Sequence, residues 1–312
     1  MSIRTMFIKT LQIAIGTLAL ALATGFGIPK VAVRAERESA ETLSPQSETL
    51  FLEGIEQFER GNYVRAEQVF SQLIEVEPQL PEAYYNRARS REALQQYDRA
   101  IEDYSTAVRL RPEYTAAYIN RGNVYWTSAT SADDIAAALS DFDRAIELEP
   151  SAPIPYLNRG NVYAMLGDLQ RALDDYDRAI ELEPDYVEAH YNRALTLSEL
   201  GQIEAALASY ANALDAVPAE APAYAIPIYL NRGMLWLEQS EPYAAIEDFE
   251  RVLSIDANNP EAYGNRGLAY VSLGNREQAI EDFQRAATLF DRQERPQAAQ
   301  LAREAIQYLQ QN

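Results

Sequence analysis

A 34-residue period runs through most of the chain and constrains its fold more than any other feature of the sequence. A small residue recurs twelve positions before a closing proline, and an aromatic residue follows that small residue four positions later. The prolines are Pro78, Pro112, Pro150, Pro184 and Pro218, the small residues are Ala66, Ala100, Ala138, Ala172 and Ala206, and the aromatic residues are Phe70, Tyr104, Phe142, Tyr176 and Tyr210. Such a period predicts stacked units, since one unit of this length cannot bury its apolar face alone.

A second pattern lies earlier in each unit: a ring residue, one variable residue, and then Asn-Arg-Gly or Asn-Arg-Ala. The ring residues are Tyr84, Tyr118, Tyr156, His190, Tyr229 and Tyr263. With the Ala-x-x-x-aromatic pattern and the closing proline, the sequence resembles the tetratricopeptide repeat family from Ser47 to about Asp291. The resemblance implies an all-α fold, a right-handed superhelical solenoid of seven helix-turn-helix units followed by a capping helix.

The repeats divide the chain into four predicted regions. These are a leader at 1–35, a flexible tether at 36–46, the repeats within 47–291, and a capping helix at 294–312. The repeats run at about 47–80, 81–114, 115–152, 153–186, 187–220, 226–259 and 260–293. Departures from the family pattern are Leu50 in place of an aromatic residue, a longer turn at 128–134 and an insertion at 221–225.

The leader has the order of segments typical of a secretory signal peptide. Basic residues Arg4 and Lys9 precede an apolar run at 11–28, and small residues Val33 and Ala35 come before Glu36. An uncleaved anchor helix is the alternative, because about 18 apolar residues can just span a bilayer. Both interpretations predict export, to a periplasm, the outer medium or a thylakoid lumen.

The composition argues against several classes of function. The chain has no cysteine, a single histidine (His190), and only two lysines, both in the leader (Lys9 and Lys30). We therefore predict no metal site, no cofactor and no enzymatic activity, since thiol-nucleophile, Schiff-base and His-pair chemistry all lack their residues. The acidic net charge of −20 predicts no binding to nucleic acid. Contact with a membrane is expected only if the leader stays uncleaved.

Arginine recurs at position seven of each unit after the first, and five of the six arginines have an aspartate at position 23 of the same unit. The predicted pairs are Arg87 with Asp103, Arg121 with Asp141, Arg159 with Asp175, Arg232 with Asp248, and Arg266 with Asp282. We interpret them as structural ion pairs between helices rather than as an anion-binding row. Ser209 stands at position 23 of the fifth repeat and breaks the series.

Position six is asparagine in the same six units, at Asn86, Asn120, Asn158, Asn192, Asn231 and Asn265. An amide offers a donor and an acceptor and so matches the edge of an extended peptide. Further candidates for a peptide-binding groove are Asn123, Asn161, Tyr85, Trp126 and Tyr191. A purely structural role for the asparagines is the alternative. Chaperone-binding members of the family use lysines and arginines as a carboxylate clamp, and positions two and five here carry neither.

These observations predict a non-enzymatic scaffold that binds a protein or an extended peptide and assists the assembly of a complex. Two alternatives stay open: a self-assembling structural protein, and a non-catalytic accessory subunit of an envelope enzyme. The sequence identifies no partner, and a homo-oligomer is compatible with it.

Overall fold

The structure, a computed structural model, describes residues 43–311 and consists of helices in that range, with no strand. The fifteen α-helices are α1 (Pro45–Glu59), α2 (Tyr63–Val76), α3 (Pro81–Ala93), α4 (Tyr97–Leu110), α5 (Thr115–Thr127), α6 (Ala132–Leu148), α7 (Pro153–Met165), α8 (Leu169–Leu182), α9 (Val187–Glu199), α10 (Ile203–Ala216), α11 (Ala225–Glu238), α12 (Pro242–Ile255), α13 (Pro260–Leu273), α14 (Arg276–Arg292) and α15 (Pro296–Gln311). The predicted all-α repeat fold is confirmed.

Helices α1 to α14 form seven consecutive hairpins, each made of a first helix and a second helix that pack on each other. The described residues fall into two compact units, 43–184 with four hairpins and 185–311 with three hairpins and α15. Within each unit the second helix of one hairpin packs on the first helix of the next. Successive first helices also touch each other, and this contact forms one face of each unit.

The predicted leader at 1–35 and most of the predicted tether lie outside the described residues. Helix α1 begins at Pro45, two residues inside the predicted tether, because the side chain of Ser44 accepts a hydrogen bond from the backbone of Ser47 and caps the helix. Between residues 43 and 311 no helix is long and apolar enough to cross a membrane. No cluster of acidic or histidine side chains in that range could hold a metal ion.

In five of the seven hairpins the core contains a close approach between a glycine at position eight of the first helix and the aromatic ring of the second. A Cβ added to Gly122 would lie 2.8 Å from the Phe142 ring, and one added to Gly233 would lie 2.6 Å from the Phe249 ring. The rings are almost completely buried. Glycine at position eight thus lets the two helices approach each other around a large ring, as the sequence pattern predicts.

The two insertions adopt local structure without interrupting the helices. In the long turn at 128–134, Ser131 and Asp134 form a reciprocal capping box that begins α6. The insertion at 221–225 contains a short 3₁₀-helix, Pro222–Tyr224, directly before α11. Helix α15 covers the end of the second unit, where its buried alanines pack with Phe283 and Phe290.

Candidate functional site

Five of the six position-seven arginines bind the aspartates of the second helices through two hydrogen bonds each, and the sixth, Arg193, donates to Ser209 instead. In the third repeat Arg121 donates from Nε and Nη2 to the two carboxylate oxygens of Asp141, at 2.8 and 2.7 Å. Each of these five arginines also lies over the tyrosine three residues before it, 5.6 Å from the ring centre for Arg121 and Tyr118. The same two-bond geometry occurs in Arg87–Asp103, Arg159–Asp175, Arg232–Asp248 and Arg266–Asp282.

The third nitrogen of several arginines bridges to the preceding repeat. Nη1 of Arg87 donates to Ser71, and Nη1 of Arg121 donates to Ser105 at 3.0 Å. Arg159 reaches Asp143 in the same way, at 2.5 Å. The acceptors stand at position 25 of the previous repeat, a relation that was not among the sequence predictions. A serine or acid 16 residues before five of the six arginines is the signal that would have revealed it.

Burial and pairing act in opposite directions on the aspartates of these ion pairs. Loss of solvent raises the pKa of Asp175 above its ordinary value, while the hydrogen bonds from Arg159 lower it. The pKa of Arg159 is raised, chiefly by its hydrogen bond to Asp175. The guanidinium groups therefore remain charged and are already occupied by acids of the chain. This arrangement stabilises the helix packing and leaves little of the arginine to bind an anion.

The six position-six asparagines do not form one uniform open row. Asn86 and Asn265 are buried. Asn86 donates to the carbonyl of Glu82 and accepts from Arg89. For these two residues the predicted ligand-facing role is wrong in the free protein, because their own helix and its neighbours enclose the amides.

The other asparagines are partly exposed, and three of them link successive first helices. Nδ2 of Asn120 donates to the hydroxyl of Tyr85 at 3.0 Å, and Nδ2 of Asn158 donates to Oδ1 of Asn123 at 2.8 Å. In the second unit Asn231 donates to the hydroxyl of Tyr191 at 2.8 Å. Asn192 is half-buried on α9. The asparagines thus have a structural role, and part of each linking amide is still exposed.

Tyr85 and Tyr191 are core residues rather than groove residues. Their side chains are 1% and 3% exposed, and each ring packs on the aromatic ring of the second helix, Tyr104 or Tyr210. Burial raises the pKa of Tyr191 to about 12. The prediction that these two tyrosines line an open groove is therefore wrong, because position five turns inward wherever the neighbouring repeat covers it.

A continuous half-exposed face remains on α5 and α7 of the first unit. Asn123 of α5 accepts from Asn158 of α7, and Nε1 of Trp126 lies 3.4 Å from the sulfur of Met165. We call Asn120, Asn123 and Asn158 the amide patch. Asn161, the next candidate along α7, accepts a hydrogen bond from the hydroxyl of Tyr176 at 2.9 Å.

The neighbouring helix α3 presents a different, self-contained surface. Arg89 lies 4.3 Å from the centre of the Phe58 ring and donates to Asn86. Glu92 accepts a hydrogen bond from Tyr104 at 2.8 Å, and burial raises the pKa of Glu92. The polar groups of α3 are therefore bound by α3 itself and by the helices on either side of it, whereas the amide patch keeps donor and acceptor capacity on a half-exposed face.

Sequence comparison matches tetratricopeptide repeat descriptions to residues 153–186 and 260–292, and to 89–128, 175–208 and 226–259. Together these matches cover about half of the chain, and those at 153–186, 226–259 and 260–292 each correspond to one helix hairpin. The chain belongs to the tetratricopeptide repeat family. In this tetratricopeptide repeat protein the matched segments include both helices that carry the amide patch.

Solved structures of other proteins share the fold. YrrB, described as having an unusual peptide-binding site, is 25% identical with a TM-score of 0.50, over 65% of this chain and 99% of YrrB. A tetratricopeptide repeat protein from Parabacteroides merdae is 18% identical with a TM-score of 0.60, over 83% and 99% of the two chains. The type IV pilus biogenesis factor PilW is 19% identical with a TM-score of 0.60, over 70% and 98%.

Proposed function

We propose that this protein is a non-enzymatic scaffold that binds an extended segment of a partner protein on the amide patch. The observation that carries the proposal is the bridge from Asn158 to Asn123, which holds two amides from successive repeats side by side on a half-exposed face. The bridge uses one donor of Asn158 and the oxygen of Asn123. The donors of Asn123 and the oxygen of Asn158 form no hydrogen bond with other described residues.

An extended peptide backbone presents the complementary groups. It offers a carbonyl and an N–H on each edge, so amide side chains fixed at the spacing of neighbouring helices can bind it without reading its side chains. Because the amides are held by the Asn158–Asn123 bond, little side-chain entropy is lost when they bind a ligand. The family membership and the peptide-binding site described for YrrB support the same class of ligand.

Two further proposals concern the lack of enzymatic activity and the compartment in which the scaffold works. The arginines are committed to structural ion pairs, which favours a binding protein over an enzyme. Export to a periplasm, the outer medium or a thylakoid lumen follows from the leader sequence and places the partner in the same compartment.

The test is capture of a partner with matched variants. The tagged full chain is expressed in its source cell, and co-purifying proteins are identified by mass spectrometry. A patch variant carries Asn120→Ala, Asn123→Ala and Asn158→Ala. A control variant carries Asn62→Ala, Asn212→Ala and Asn258→Ala, three exposed asparagines away from the patch.

We expect a specific partner with the native and control proteins and at least a tenfold loss with the patch variant, at unchanged helicity. Equal capture by the patch variant would contradict the proposal and assign the asparagines to packing alone. Recovery of only the chain itself, with a doubled mass by light scattering, would instead support a self-assembling protein.

A further inference from the structure

Helices α5 and α7 differ from the other first helices in their charge. Each contains one charged residue, Arg121 in α5 and Arg159 in α7, and both are bound to aspartates of the second helices. By contrast, α3 carries five charged residues and α1 carries four. Nearly a quarter of the whole chain is charged. The exposed face that α5 and α7 share therefore carries no formal charge, although the protein is strongly acidic.

An apolar pair, half-buried Trp126 and exposed Met165, borders the amide patch at the carboxyl ends of the same helices. The indole N–H of Trp126 lies against the sulfur of Met165, and the Met165 side chain is 46% exposed. Trp126 follows Asn123 by three positions and Met165 follows Asn158 by seven, so each apolar residue shares a helix face with an amide. A thioether next to an aromatic ring forms an adaptable apolar contact surface.

We propose that this surface selects an uncharged segment of the partner with one large apolar side chain, which packs on Trp126 and Met165 while the backbone binds the amide patch. The proposal rests on the proposed function and adds the chemistry of the ligand to it.

Desolvation and charge account for this selection. A charged side chain placed on the α5–α7 face would lose hydration without gaining an opposite charge, which disfavours it. Acidic segments are also repelled by the net charge of −20. A large apolar side chain gains by covering the open part of the Trp126 indole and the exposed Met165 thioether, and burial of such groups is the main source of binding free energy.

The first experiment reads the ligand chemistry directly. The full chain is used to select from a displayed library of random peptides of about twelve residues, and the selected peptides are synthesised. We expect a consensus of several uncharged residues around one large aliphatic or aromatic residue. A consensus built on acidic or basic residues would overturn the inference while leaving peptide binding intact.

The second experiment reports on Trp126. The chain has only two tryptophans, so Trp236→Phe leaves Trp126 as the single tryptophan, which is excited selectively at a wavelength beyond the absorption of the tyrosines. The selected peptide should shift the emission of this variant to the blue and reduce its quenching by acrylamide at least twofold. Trp126→Phe, which leaves Trp236, should bind more weakly and show no such change. Unchanged Trp126 emission on binding would overturn the contact.

The third experiment compares the same charge at two adjacent exposed positions. Met165→Glu places a carboxylate beside Trp126, whereas Leu166→Glu places it about 100° further around the helix. Leu166 is 55% exposed, so neither change disturbs the core. We expect the affinity for the selected peptide to fall about tenfold or more in Met165→Glu and less than twofold in Leu166→Glu.

The outcomes separate the two proposals. Loss of binding in the patch variant with equal affinities for Met165→Glu and Leu166→Glu keeps the peptide site and overturns the apolar anchor. Selection of no peptide, or undiminished binding by the patch variant, overturns both proposals together.

Discussion

At the scale of single residues, the contact between glycine and an aromatic ring sets how closely two helices approach. A Cβ at residue 122 would lie 2.8 Å from the Phe142 ring and 3.2 Å from Cβ of Asp141. Gly122→Ala should therefore lower the free energy of unfolding by about 1–2 kcal/mol, because overpacking outweighs the helix propensity gained by alanine. Urea denaturation followed by circular dichroism measures the change.

A double-mutant cycle controls this prediction. Phe142→Leu makes room for the new methyl group, so the double variant should lose less stability than the sum of the single variants. Simple additivity would show that the ring and the new Cβ do not meet.

Glu92 provides a prediction about pH. Burial raises its pKa above the ordinary value of 4.5, so the native state holds the proton more tightly than the unfolded chain. This contribution is present below the unfolded pKa and is lost as the pH rises through the native pKa. Glu92→Gln has no such loss and should gain stability relative to the native sequence as the pH rises above the ordinary carboxyl pKa of 4.5, as measured by urea denaturation at several pH values.

Tyr104→Phe tests how the hydrogen bond from Tyr104 affects the pKa of Glu92. The hydroxyl of Tyr104 donates to Glu92 and lowers the pKa of that carboxyl. Its removal should raise the pKa further and make the loss of stability with pH steeper. If stability fell less with rising pH in Tyr104→Phe than in the native protein, the hydrogen bond would not lower the pKa of Glu92.

At the scale of the hairpin, the turn between the two helices requires a left-handed backbone. Glycine occupies this turn position in four repeats, but Gln95 has a φ of 58°. Gln95→Gly should raise the free energy of unfolding by roughly 0.5 kcal/mol, because relief of the left-handed strain exceeds the entropy that glycine adds to the unfolded chain. Thermal unfolding measures this. Gln96→Gly, where φ is −88°, should be destabilising.

The ion pairs between helices belong to the same scale. Asp141→Ala leaves the guanidinium of Arg121 partly buried without its acid, and we expect a loss of roughly 2–4 kcal/mol in the free energy of unfolding. The exposed pair Arg144–Glu147 is the control, since its side chains are 43% and 65% exposed. Glu147→Ala should leave the denaturation midpoint unchanged. If Asp141→Ala also left the midpoint unchanged, the buried pair would contribute nothing to stability.

At the scale of the molecule, a repeat array requires its end to be covered. Ala302 of α15 is buried in the cluster that contains Phe290, whereas Gln307 of the same helix is exposed. Ala302→Glu should destabilise the protein by about 3 kcal/mol or more and expose apolar surface to a hydrophobic dye, because it buries an unpaired carboxylate. Gln307→Glu adds the same charge and should change neither measurement.

The helices and their pairing could be predicted from the sequence because each depends on a local, repeated signal. The small residue and ring four positions apart, such as Ala138 and Phe142, identify the second helix and its buried face. The candidate site was predicted less well. Asn86 and Asn120 are equivalent in sequence, yet one is buried and the other half-exposed, because the residues facing them from the neighbouring helices differ.

The sequence by itself determined the repeat length, the all-α fold and the partners of the position-seven arginines. These features recur in nearly every unit and rest on contacts within one hairpin. Only the tertiary structure decided which amides stay exposed, that Tyr85 belongs to the core, and that Trp126 meets Met165 39 residues away. Such contacts form between hairpins, where one side chain's exposure depends on a residue in another repeat, so no periodic pattern within the chain could encode them.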